Sequence, residues 1–152
     1  MKILKRVLIV LLIALVLLQF YRPEKNEAEY REVASFETET QPSSEVKALL
    51  ERKCYDCHSN KTDYPWYAEV APISLLIADH VEEGNEHFNV SEWDSYDAKK
   101  RDHKLDELIE EVEEGEMPEK GYALIHGGIT EEEKATLISW AKNARKNYAL
   151  DK

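Results

Sequence analysis

The sequence predicts an all-α fold, a small helical bundle preceded by one strongly apolar helix, and three observations carry that expectation. Apolar residues recur at helical spacing in four separate stretches, no alternating strand pattern of useful length appears anywhere, and the apolar run Val7 to Leu18 is unbroken. A chain of 152 residues has room for one domain. Its parts read as an N-terminal anchor over 1–21, an acidic tether over 22–42 and a helical domain over 43–152.

The first segment couples the apolar run to Lys2, Lys5 and Arg6. From Ile3 through Tyr21 it has roughly the length a helix needs to cross a bilayer. A cleaved secretory signal would share the basic start. Leu18-Gln19-Phe20-Tyr21-Arg22-Pro23, however, offers no pair of small residues for a signal peptidase, so an uncleaved single-pass helix is expected. Either reading places the rest of the chain on the outer, periplasmic side of a bacterial cytoplasmic membrane. Arg22 to Gln41 is rich in Glu and Thr and poor in apolar residues, which predicts an extended tether.

Pro42-Ser43-Ser44 supplies a helix cap, and Val46, Leu49, Leu50 and Cys54 follow on one stripe. That helix delivers Cys54-Tyr55-Asp56-Cys57-His58. In a helical turn both thiols and the imidazole project toward one side. The spacing is that of a c-type haem attachment site, in which Cys54 and Cys57 form thioethers to the ring and His58 reaches the iron. Structural zinc needs four ligands, yet these are the only cysteines, and His80, His87, His103 and His126 form no closely spaced pair. A thioredoxin-like pair needs a strand ahead of it, and the residues upstream read as helix.

Beyond a turn at Ser59 to Asp63, Tyr64-Pro65-Trp66-Tyr67 is an aromatic patch suited to a crevice wall, with Trp66 foremost. Pro72 opens a second helix bearing Ile73, Leu76, Ile77 and His80 or Val81, expected to end at Gly84. His80 is a rival iron ligand. Asn89-Val90-Ser91 reads as a capping loop, with Ser91 as the cap. A third helix, Asp97 to Glu114, turns Ala98, Leu105, Leu108, Ile109 and Val112 inward and stops at Gly115. Met117, the only methionine besides the initiator, stands before Pro118 in a stiff loop. A thioether there would complete a His/Met iron; its alternative use is filling the core. A glycine-rich connection, Gly121 to Gly128, holds Tyr122 and His126. Thr130 to Glu133 is a capping box for a last helix bearing Leu137, Trp140, Ala141, Ala144 and Tyr148, expected to pack on the helix of Leu49 and Leu50.

Together Cys54-x-x-Cys57-His58-Ser59-Asn60-x-Thr62, Pro65-Trp66-Tyr67, Ala71-Pro72, Val81-x-x-Gly84, Asn89-x-Ser91-x-Trp93 and Met117-Pro118-x-x-x-Tyr122 resemble the bacterial haem-binding domain family of cytochrome c-like proteins. The likeness covers about residues 45 to 145. It implies a cytochrome c-like helical domain around one covalent haem c and its iron, exported and often membrane-tethered. It places His58 and Met117 in the axial positions. Tyr122, with Trp66 and Tyr67, is expected beside the cofactor, ordinary core packing being the other use of the Trp66 and Tyr67 rings. Family members often carry a basic residue after the position of Gly84; this chain has Asn85 there, which removes one expected propionate partner.

The formal charge is −11, and about −14 with the three N-terminal cations set aside. Nucleic acid is therefore not an expected partner, since phosphate binding requires a basic face. A basic redox partner is. No nucleophile triad or phosphate loop appears, and the carboxylates read as solvated helix faces. A one-electron carrier is thus expected in place of an enzyme. A haem sensor or peroxidase-like protein, with Met117 displaced and His80 or His126 handling protons, is the alternative from another class, and a haem-free structural metal module a third.

Overall fold

The computed structural model describes residues 2–148; Met1 and residues 149–152, which close the expected first and last segments, lie outside the described residues. The described chain is helical, with one isolated bridge between Glu27 and Lys61 in place of any strand. Its α-helices are α1 (Lys2–Leu18), α2 (Ala34–Thr40), α3 (Ser44–Lys53), α4 (Tyr55–His58), α5 (Ile73–His87), α6 (Ala98–Glu114), α7 (Lys120–His126) and α8 (Glu131–Ala144). Short 3-10 turns lie at Trp66–Glu69, Val90–Ser95 and Arg145–Tyr148.

The expected membrane anchor is not upheld. α1 has 17 residues, about 25 Å at the α-helical rise, against a hydrocarbon core of about 30 Å. Among the described residues no helix is long and apolar enough to cross a membrane. The expected span counted Gln19, Phe20 and Tyr21, but the helix stops before them. The Gln19 amide instead donates to Ala71 O at 3.0 Å and accepts from Ala71 N at 3.0 Å, which fastens the end of α1 to the loop before α5. The expected single-pass localisation at a bacterial membrane, with the domain anchored on its periplasmic side by that helix, is therefore not supported.

The segment expected to be an extended tether folds onto the domain. Phe36 on α2 is fully buried, packed edge-to-face against Trp93 at 4.9 Å and Trp140 at 5.9 Å. Its neighbour Glu39 accepts from Arg101 Nη1 at 2.6 Å, Tyr148 Oη at 2.8 Å and Trp93 Nε1 at 3.2 Å. One large aromatic side chain anchors a short helix whose other residues look like those of a solvated linker.

α3 starts where the sequence places it, with the Ser43 side chain accepting from Val46 N, and it buries Val46, Leu49 and Leu50. α6 is capped by Asp97 and ended by left-handed Gly115 (φ +76°); it buries Leu105, Ile109 and Val112, while Ala98 is exposed. α8 opens on the expected Thr130–Glu133 capping box and buries Leu137, Trp140, Ala141 and Ala144; Tyr148 is buried in the turn that follows. α8 packs chiefly on α6 and only secondarily on α3. Arg145, just past α8, clasps α6 through Asp102 at 2.7 Å and through Asp106.

Two elements depart from expectation near the motif. α5 continues through Gly84 to His87, because that glycine serves a close approach and no helix end: a Cβ on Gly84 would stand 2.6 Å from Cys57 O. The Gly121–Gly128 stretch, expected as a connection, contains α7, whose cap is the Glu119 side chain accepting from Tyr122 N. Ser91 caps no helix. Its hydroxyl accepts from Asn60 N at 3.0 Å and donates to Asn60 Oδ1 at 3.1 Å.

Candidate functional site

Cys54 is the hinge between α3 and α4: its N–H closes the last turn of α3 on Leu50 O, and its carbonyl accepts from Cys57 N at 3.1 Å and His58 N at 3.0 Å. The motif is therefore a single helical turn, and local side chains stop it there. Ser59 Oγ donates back to Tyr55 O at 2.6 Å and Thr62 Oγ1 to Asp56 O at 2.5 Å, the short-range bonds by which hydroxyl residues end helices. The N-terminal segment braces this turn from outside. Asn26 Nδ2 donates to Ser59 O at 2.7 Å and to Thr62 Oγ1 at 3.1 Å, and Arg31 pairs with Asp56 at 2.6 Å and Asp63 at 3.2 Å.

His58 decides the chemistry. Its Nδ1 lies 2.9 Å from Gly84 O and 2.9 Å from Phe88 O. Carbonyl oxygens only accept, so Nδ1 carries the proton and the Nε2 lone pair is left for a ligand bond. Burial pushes the His58 pKa down, partly offset by the two carbonyl bonds, which keeps the ring neutral. A neutral imidazole with a fixed tautomer is what a metal ligand requires.

The two thiols are half-buried and free. Burial, then mutual repulsion, raises Cys54 to about 12. Burial, then the charges of Asp56 and Glu119, raises Cys57 to about 11. A redox-active pair needs at least one thiol well below its ordinary value, so this environment is the reverse of a thioredoxin-like site. Among the described residues no three His, Cys, Asp or Glu side chains converge to hold a bare metal ion.

The other sequence-predicted residues border the same region to different degrees. Tyr67 is half-buried, and its hydroxyl meets His126 Nε2 at 2.5 Å. Tyr122 stacks on His126, centroids 4.3 Å apart, and donates from Oη to Arg52 O at 2.9 Å. Trp66 stands 80% exposed with its ring against Tyr67. Met117 is 36% exposed, so its thioether does not fill the core. Glu116 N and Met117 N both donate to Glu111 O, which pins its loop to the end of α6. His80 faces Glu119 at 3.7 Å across that loop. Sequence reasoning missed the Gly84 approach and the Gly84 and Phe88 carbonyls, because neither backbone oxygens nor a helix crossing leave a mark on residue type.

The sequence model of the haem-binding domain family matches residues 13–143, most of the chain. The chain belongs to the haem-binding domain family. No curated protein and no solved structure matches it. Haem suits the residues that this haem-binding domain brings together. An imidazole nitrogen is held unprotonated beside two protonated thiols. Trp66, whose ring packs on Tyr67, is left 80% exposed, as are Leu124 and Ile125 of α7 at 88% and 62%.

Proposed function

We propose that this haem-binding domain is a c-type electron carrier, with haem held by thioethers from Cys54 and Cys57 and its iron ligated by His58 and Met117. The observation that carries the reading is the Nδ1 proton of His58, committed to two backbone carbonyls so that the Nε2 lone pair is left for a ligand bond. Bound haem iron supplies one-electron chemistry, with axial ligands setting the potential.

The protein's own part is orientation and environment. Gly84 lets α5 approach Cys57 closely enough to bring its carbonyl to His58. Burial favours the protonated form of both thiols that would be joined to the ring. Met117 comes from a loop pinned to α6 that leads into Glu119, the cap of α7. The chain's charge of −11 suits a basic redox partner whose association slows as salt rises. The exposure of Met117 favours one variant of this reading, in which the thioether is displaceable and a small molecule reaches the iron.

Producing the chain alongside a c-haem maturation system and measuring mass and spectrum tests the proposal. A protein one haem heavier than the polypeptide, six-coordinate with a thioether–iron feature that Met117→Ala abolishes, is the expected result. Colourless protein with both thiols free ends the reading, and rapid carbon monoxide binding by the unaltered domain selects the displaceable variant.

A further inference from the structure

We propose that Tyr67 and His126 form a latch that fastens α7 beside the cofactor site and so governs access to the side of the iron opposite His58. The inference rests on the haem reading above and extends it to what controls the sixth position.

α7 buries none of its side chains, and Leu124 and Ile125 are 88% and 62% exposed. Apolar packing therefore does not hold it, and an element with few buried contacts opens at low cost. Its ties are polar and lie next to the motif. Tyr122 Oη donates to Arg52 O, and Lys53 Nζ donates to the carbonyls of His126 at 2.7 Å and Gly127 at 2.8 Å. All three bonds run to the last turn of α3, just ahead of Cys54. Glu119, at the start of α7, lies 3.7 Å from His80 on α5.

The 3-10 turn at residues 66–69 reaches α7 through Tyr67. Its hydroxyl and His126 Nε2 are 2.5 Å apart. The His126 ring is fixed by stacking on Tyr122 at an interplanar angle of 11°, and Tyr67 is backed by the Trp66 ring at 5.7 Å. Lys53 is long and flexible and can follow α7 if it moves, whereas the bond between these two braced rings cannot. Breaking it leaves α7 hinged on α3, free to swing at its C-terminal end, where left-handed Gly127 (φ +75°) turns the chain. The Met117 loop stays pinned to α6 through Glu111 O, so the swing opens the side of α7 that faces Arg52 and Lys53, just ahead of Cys54. Tyr67 and His126 are thus positioning residues, acting through the placement of α7.

The test uses the haem-loaded domain as wild type, Tyr67→Phe, His126→Ala and His126→Gln. It reads amide hydrogen exchange along the chain and carbon monoxide binding to the reduced protein. Expected is an exchange increase of about fivefold confined to residues 119–128 in Tyr67→Phe and His126→Ala, the factor one net hydrogen bond gives. Carbon monoxide binding should quicken in step, and His126→Gln, which keeps a hydrogen-bonding group, should restore part of both. Unchanged exchange over 119–128, or an equal rise in α3 and α6, overturns the latch. Localised exchange in a domain whose wild type shows no thioether–iron feature upholds the latch and defeats ligation by Met117, so the two fail separately.

Discussion

At the scale of single residues, the site depends on one proton and one missing methyl group. His58 holds its proton on Nδ1 because Gly84 O and Phe88 O leave it no other partner. His58→Ala should therefore leave the added mass of haem intact while abolishing the six-coordinate spectrum, as covalent attachment and iron ligation use different side chains. Gly84→Ala brings a Cβ to 2.6 Å from a backbone oxygen and 3.1 Å from Cys57 Cβ. Neither neighbour is the far end of a flexible side chain, so α4 or α5 must shift. Alanine gains about 1 kcal/mol of helix propensity, but overpacking a tight contact costs about 1–3 kcal/mol. Urea unfolding should show a net loss of up to about 2 kcal/mol, with His58 displaced from the iron in the haem-loaded form; equal stability with an unchanged spectrum would mean that the close approach is unimportant.

At the scale of elements, α2 and α8 show how differently two helices can announce themselves. The capping box of α8 is written in Thr130 and Glu133 and is formed, Thr130 Oγ1 accepting from Glu133 N and Glu133 Oε2 from Thr130 N. Thr130→Ala should cost about 1 kcal/mol in chemical denaturation. α2 carries no such signal, being short and rich in Glu and Thr, yet Phe36 at its centre is fully buried among Phe88, Trp93 and Trp140. Phe36→Ala should cost about 3–5 kcal/mol, the range for an aromatic ring deleted from a packed core. A loss below 1 kcal/mol would restore the picture of a free tether. The end of α5 was misplaced for a related reason: a glycine reads as a stop signal unless the opposing backbone is known, and Cys57 is remote from it in sequence.

For the whole molecule, acid is the expected weakness. Arg145 holds Asp102 below its ordinary value, and backbone N–H groups do the same for Glu119, through Gly121 and Tyr122, and for Glu133, through Thr130. A carboxyl that ionises more readily folded than unfolded contributes stability above its unfolded pKa and loses it as pH falls through the folded value. The urea midpoint should thus hold steady from pH 7 to about 5 and fall below about pH 4, although the lessened repulsion of a chain at −11 opposes that fall at first. A midpoint still rising at pH 3 would show that net charge outweighs these pairs. What the sequence determined by itself was whatever depends on residue type at short range: the helical class, the caps of α3, α6 and α8, and a cysteine-histidine motif that the family match extends to haem. Only the tertiary structure decided where α1 stops, that residues 26–40 fold back as a brace, which carbonyls fix the His58 tautomer and that α7 hangs on Tyr67. The physical reason is reach, since a cap or a periodic stripe is an interaction over three or four residues, whereas each of these joins atoms far apart along the chain.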